Sequence, residues 1–186
     1  MNHDSLFEHV KKRESIFQGK YLNLERLHLQ FPNDIKGIRE VVRVKDAVAV
    51  LPVDSENTVH LIRQHRPAIG KTIIEVPAGI MDKKEESLEE CAKRECEEET
   101  GVIPGKLTRL ITYAHAEGYS TGFITLFLGT ELKHTKNLNL DQTEFVEQVS
   151  MPYTELLKMV LKNQIIDSKT ILSTLLSKEI IFNKNI

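Results

Sequence analysis

The sequence predicts an α+β protein, a mixed β-sheet with helices packed on its faces. A β arm is expected over residues 1–45 and a larger domain over 46–186. Three observations carry this. Tyr21 to Leu29 alternates apolar and polar residues with the period of a half-buried strand. Ala47 to Pro52 is an unbroken apolar run, the pattern of a strand covered on both faces. Helix signals are few, and the clearest is bracketed by Ser87 and Gly101. The length of 186 residues suits one domain with an appended arm. A chain of that size buries enough surface to need no disulfide or structural metal.

In the arm, Pro32-Asn33-Asp34 marks a turn after the first alternating strand, and Arg39 to Val44 resumes strand character. Past Ala47–Pro52, the loop Asp54–Asn57 leads into a returning strand, Val59 to Arg63. Lys71 to Val76 is the next strand, stopped by Pro77-Ala78-Gly79. Met81 to Glu86 is a charged loop. Ser87 then caps a helix to Thr100, and Gly101 ends it. Leu107–Tyr113, Phe123–Leu132 and Glu144–Val149 read as strands, with a polar loop over Lys133–Asn139. Pro152 opens a helix to Lys162, and Ser168–Ser177 forms the last one.

Composition excludes several classes. Basic and acidic residues number 25 and 27, a net charge of −2, which argues against a nucleic-acid-binding protein. No segment reaches the roughly 18–20 apolar residues of a membrane helix. The charged start, Met1 to Ser15, has no apolar core of a secretory signal. Cys91 and Cys96 lie five apart on a helix, hence on different faces, and read as reduced thiols of a cytoplasmic protein.

The chemistry concentrates in Gly79–Val102, GIMDKKEESLEECAKRECEEETGV. Glu95, Glu98 and Glu99 fall at i, i+3 and i+4, so three carboxylates crowd one side of a helix. Each such like-charge pair costs a few tenths of a kcal/mol. Charge runs usually mark solvated faces. Here, however, Leu88, Ala92, Glu95 and Glu99 form one stripe, and the inward apolar face runs on into carboxylates. That arrangement suits a hard divalent cation such as Mg²⁺, which takes carboxylate oxygens and keeps positions open for phosphate.

This segment resembles the Nudix box of hydrolases that cleave nucleoside diphosphates linked to another moiety. Glu86, seven residues, and Arg94-Glu95-Cys96-Glu97-Glu98-Glu99-Thr100-Gly101-Val102 fit its second half throughout. The first half departs, since six residues rather than five separate Gly79 from Glu86. We read one inserted residue in the Met81–Glu85 loop. Choosing Glu85 instead would put Lys93 where the pattern has Arg. Glu75–Gly79, Gln64-His65-Arg66-Pro67, Glu40–Arg43 with Ala47–Val50, and Glu144–Glu147 are similar to the ADP-ribose pyrophosphatase branch.

The resemblance implies a Nudix α/β/α sandwich. It implies Mg²⁺, with Mn²⁺ as a substitute, held by Glu95, Glu99 and the Ala78 carbonyl. Glu98 would be an auxiliary ligand or would orient water. Glu144 sits where the family has a loop glutamate proposed as general base. Arg66 and Arg43 would offer cationic forks to phosphate or ribose, with Glu75 and Tyr119 among the substrate contacts. Tyr113, His115 and Phe123 are further aromatic candidates, although aromatics near strand ends more often belong to the core. Arg94 reads as structural, paired with Glu90 or Glu98, and Glu86 as a loop-anchoring carboxylate. In similar enzymes the amino-terminal arm crosses to a second subunit, which implies a homodimer.

After the box, the branch usually reads Ser-Pro-Gly-aromatic-Ser-Asp-Glu. Ala116–Gly122 keeps only Gly118, Tyr119 and Ser120 of that pattern, which leaves the sugar and base open. The expected activity is pyrophosphate hydrolysis of ADP-ribose or a related nucleoside diphosphate sugar. The alternatives are a non-catalytic nucleotide-sugar sensor on the same fold, and a hydrolase of another nucleoside diphosphate or triphosphate derivative.

Overall fold

The computed structural model describes residues 6–135 and 145–183. The chain forms two compact units. One comprises the residues up to Asp46 with Ala114–Phe123; the other comprises Ala47–Tyr113 and the chain from Ile124 onward.

The first unit is an antiparallel meander of β1 (His9–Gln18), β2 (Asn23–Gln30) and β3 (Lys36–Arg43). β1, which lacks the clear alternation of β2, is an addition to the strands read from the sequence. Between β2 and β3, Asp34 takes φ 61° at the end of the short turn Pro32–Asp34. Cross-strand ion pairs cover the sheet: Arg13 with Glu25 at 3.2 Å and Arg26 with Glu40 at 3.1 Å. Such exposed pairs contribute at most about 1 kcal/mol each. Among the described residues of this unit, Leu29 is the one buried large apolar side chain, while Ile16, Phe17, Tyr21, Leu22 and Ile38 are exposed. The Ala114–Phe123 turn joins the unit through Val42, whose N–H donates to the Tyr119 carbonyl and whose carbonyl accepts from Thr121.

In the second unit, β4 (Ala47–Pro52) lies between β7 (Ala78–Ile80) and β9 (Phe123–His134), and β8 (Val102–Ala114) forms the far edge. β4 pairs antiparallel with β7 and parallel with β9. A second sheet has the order β10 (Val146–Pro152), β5 (Thr58–Arg66), β6 (Lys71–Glu75). The helices are α1 (Leu88–Thr100), α2 (Tyr153–Leu161) and α3 (Ser168–Phe182).

The period of two along β4 and β9 builds the layers. Val48, Val50 and Phe127 point into a core with Cys91, Ala92 and Cys96 of α1. Ala49, Leu51, Leu126 and Leu128 point the other way, to Leu61 of β5, Tyr153 and Leu156 of α2 and Ile181 of α3. The unbroken apolar run of β4 is thus explained by helices on both sides, and the α+β architecture read from the sequence, a mixed sheet between helices, holds. Each fully buried side chain of this size contributes about 1.5–3 kcal/mol.

Several boundaries differ from the sequence reading. Ala78–Ile80 is a strand of its own, because the chain leaves β6 at Pro77 and crosses to pair with β4. β8 begins at Val102, directly after the helix stop, and tolerates Pro104 because it lies at a sheet edge. β10 runs Val146–Pro152, and α3 extends to Phe182. Cys91 and Cys96, expected on different faces, enter one core, since α1 sinks deeply enough to bury a wide stripe. Among the described residues, no helix is long and apolar enough to cross a membrane.

Candidate active site

α1 is set at both ends by its own sequence. Ser87 closes a capping box: its Oγ accepts from the Glu90 N–H at 3.2 Å, and Glu90 Oε2 accepts from the Ser87 N–H at 2.9 Å. At the other end Gly101 adopts φ 72° and donates its N–H to the Glu97 carbonyl. Burial pushes the Cys91 and Cys96 thiols up to about 12, so neither is a nucleophile at neutral pH.

The stripe that begins with Ala92 ends in carboxylates, as the sequence implied. Glu99 is only 4% exposed. Its Oε2 accepts the Ala78 N–H at 2.9 Å. One turn earlier, the Glu95 carboxylate lies directly over Gly79, where any Cβ would collide with it. Gly79 is not among the positive-φ glycines. A side chain at this position would therefore have to displace the Glu95 carboxylate, and glycine serves here for space rather than for backbone conformation. Glu95 and Glu99 thus flank the same two backbone units, Ala78 and Gly79, on β7.

Arg94 balances this acidity. Its Nε and Nη2 fork onto both oxygens of Glu86 at 2.8 and 3.0 Å. Its Nη1 donates to Glu98 Oε2 at 3.0 Å and also to Glu95. The fork holds the Glu86 carboxyl below the usual range and pushes the guanidinium further up. The anchoring role read for Glu86 therefore has a partner. Of the two partners expected for Arg94, Glu98 is met, and Glu90 is not, because its carboxylate serves the helix cap. Glu85, with φ 66°, kinks the loop just before Glu86. It is Glu86, and not Glu85, that faces Arg94.

Among the described residues, no three His, Cys, Asp or Glu side chains form a ready-made cation site. The donors that Glu95 and Glu99 bring to Ala78 are all hard oxygens, however, a set that suits Mg²⁺ or Mn²⁺ once substrate and water oxygens complete it.

A second charged group lies at the end of β6. Arg66 Nε and Nη2 bond Glu75 Oε1 and Oε2 at 2.6 and 2.9 Å. Glu75 is 1% exposed, and Lys169 Nζ reaches its Oε2 at 3.1 Å and Asp167 Oδ1 at 2.6 Å. Burial alone would raise the Glu75 carboxyl, but the Arg66 fork and the Lys169 charge together hold it below the usual range. Sequence reading missed Lys169 and Asp167. A signal existed: Lys169 sits in the first turn of α3, where a cation opposes the helix dipole and needs an acidic partner.

Arg43 and Tyr119 belong to the first unit. There, Arg43 Nε bonds Glu25 Oε2 at 3.0 Å, and Tyr119 is exposed at a turn. His115 Nδ1 meets the Gly122 carbonyl at 3.1 Å. Tyr113, in the second unit, packs against the core. Glu144 lies outside the described residues.

A family model described as NUDIX domain matches residues 43–173. An ADP-ribose pyrophosphatase of Bacillus subtilis is 36% identical over 167 residues, covering 89% of this chain and 90% of the relative. A methanol dehydrogenase activator of Bacillus methanolicus is 34% identical with the same coverage of both chains. The crystal structure of an ADP compounds hydrolase superposes with a TM-score of 0.83 over 96% of both chains, at 21% identity, which speaks to the fold. A family match across most of the sequence, including the helix whose carboxylates fold over Ala78 and Gly79, makes this chain a member of the Nudix family and a hydrolase of pyrophosphate bonds.

Proposed function

We propose that the chain is a Mg²⁺-dependent pyrophosphohydrolase of a nucleoside diphosphate sugar, with ADP-ribose as the first candidate. The carrying observation is the placement of Glu95 and Glu99 against the Ala78–Gly79 backbone. The substrate named for the Bacillus subtilis relative supports the choice of ADP-ribose. In this reading Glu95, Glu99 and the Ala78 carbonyl hold the cation, Mg²⁺ or in substitution Mn²⁺. The bound ion would neutralise diphosphate charge and acidify the attacking water. Glu98, held at 3.0 Å by Arg94, would be an auxiliary ligand or orient that water. Glu144, from its place in the sequence pattern, would take the proton as general base. Water attacks one phosphorus, the bridging P–O bond breaks, and the products from ADP-ribose are AMP and ribose 5-phosphate.

Arg66 keeps Nη1 uncommitted to Glu75 and would present it to phosphate or ribose, with Glu75 setting the plane of the fork. The parts proposed for Arg43 and Tyr119 rest on the resemblance. The exposed apolar side chains of the β1–β3 sheet support a homodimer through the arm, to be checked by sedimentation equilibrium. The two free cysteines support a cytoplasmic setting.

The test is product analysis with and without Mg²⁺ over ADP-ribose, ADP-glucose, GDP-mannose, UDP-glucose and a nucleoside triphosphate. Cleavage of ADP-ribose to AMP supports the full reading. Preference for another sugar nucleotide or a triphosphate keeps the mechanism and moves the substrate. Mg²⁺ binding without any turnover would replace it with the sensor reading. Glu144→Gln tests the base, and an unchanged rate would remove that role.

A further inference from the structure

The sequence pattern centres attention on α1, yet among the described residues of the second unit the most deeply buried ionic group lies outside it. Glu75 is 1% exposed and carries two cationic partners. Arg66 is the outer one, with 41% of its side chain exposed; Lys169 is the inner one, at 15%. Lys169 is itself anchored by Asp167 at 2.6 Å. Asp167 caps α3, accepting the Thr170 N–H at 2.9 Å and its hydroxyl at 2.7 Å. Thr170 Oγ1 then accepts the Val76 N–H at 2.8 Å, which returns the chain of bonds to the residue after Glu75. Every hydrogen-bonding step of this circuit is closed.

The division of labour between the two cations follows from their exposure. A substrate phosphate or ribose that engages Arg66 draws guanidinium charge away from Glu75. A buried carboxylate left with a weakened partner is costly, and its pull on Arg66 would oppose substrate binding. A second, buried ammonium removes that opposition. It keeps Glu75 satisfied while the solvent-facing edge of Arg66 turns to the ligand.

We propose that Lys169 is a positioning residue for substrate binding, acting through Glu75 to hold the Arg66 fork in its ligand-facing orientation. The inference deepens the proposed function and rests on Arg66 contacting the nucleoside diphosphate sugar. Lys169 Nζ is bonded to Glu75 Oε2 and to Asp167 Oδ1, so it acts on the ligand through Glu75. Its loss therefore acts on KM and leaves kcat nearly intact.

The test is a double-mutant cycle in the full chain, with Lys169→Met and Arg66→Gln, read as KM, kcat and Tm on the sugar nucleotide that the wild type cleaves best. Lys169→Met alone is expected to raise KM by about 10–100-fold, the range typical when an outer-shell partner is removed, with kcat within about threefold of wild type. In the Arg66→Gln background the same change is expected to leave KM unaltered, because the group it positions is gone. Lys169→Gln, whose amide can donate to both Glu75 and Asp167, should recover part of the loss. It also serves if Lys169→Met does not fold. Equal KM losses in both backgrounds, or a loss confined to kcat or to Tm, would overturn the role of Lys169 while leaving the functional reading in place. A wild type that neither cleaves nor, by calorimetry, binds any sugar nucleotide would overturn both.

Discussion

The Ala78 amide donates to Glu99 Oε2 at 2.9 Å, and this bond ties the strand after Pro77 to the last turn of α1. It gives Glu99 two separable properties, an acceptor that the fold uses and a charge that the proposed cation site would use. Glu99→Gln removes the second and keeps the first, since the amide oxygen can still accept from Ala78. The variant is expected to fold with a near-wild-type Tm and to lose more than about a hundredfold in kcat, in line with the roughly 10²–10³ cost of deleting one electrostatic stabiliser. Steady-state kinetics at saturating Mg²⁺ check this. Turnover close to wild type would remove Glu99 from the site.

Gly79 offers a more local probe. Its missing Cβ is the space in which the Glu95 carboxylate rests. Gly79→Ala leaves every acidic residue in the chain but must push Glu95 away from the β7 backbone. The half-saturating Mg²⁺ concentration is expected to rise by about tenfold or more, with far-UV circular dichroism unchanged. A Mg²⁺ titration equal to that of wild type would show that Glu95 need not lie against β7.

How much of this was legible beforehand follows from range along the chain. Ser87, Gly101 and the Leu88–Ala92–Glu95–Glu99 stripe act within one helix, so their residue types announced it. β4 announced itself because both of its faces are covered. What escaped were relations fixed by distant segments. Pro77-Ala78-Gly79 read as a stop because nothing local shows that β7 crosses to β4. Lys169 and Glu75 are 94 residues apart, and their contact has no local periodicity. Of the two helical neighbours expected for Arg94, Glu98 is met at 3.0 Å, while the Glu90 carboxylate turns to the Ser87 cap. The fork onto Glu86 comes instead from a loop whose course depends on the left-handed turn at Glu85.

The cap itself can be tested apart from catalysis. Ser87→Ala deletes the acceptor for the Glu90 N–H and frees the Glu90 carboxylate from the box. The expected cost is about 1 kcal/mol, or roughly 2–4 °C in Tm for a chain of this size. The kcat should stay within about twofold, because the carboxylates proposed to hold the cation lie in the following turns. Thermal melts and rates measured on one preparation decide this. A large fall in kcat without a fall in Tm would mean that Ser87 serves the chemistry rather than the helix.

Acid should erode the stability that the ionised Glu75 supplies. Its folded carboxyl lies below the ordinary value of 4.5, since Arg66 and Lys169 together outweigh burial. A depressed folded value means that the unfolded chain takes up its proton first as the pH falls. The stabilisation from the ionised carboxylate is therefore complete above 4.5 and is shed below it, through the folded value. Glu75→Gln has no such proton to gain. It is expected to be less stable than wild type at neutral pH by about 3 kcal/mol, the low end for breaking a buried pair, because Arg66 can turn to water. Between about pH 6 and about pH 3.5 its Tm should fall less than that of wild type. Parallel melting curves across that interval check the sign, and equal losses in the two proteins would mean that the Arg66–Glu75–Lys169 group adds nothing to stability through its charge.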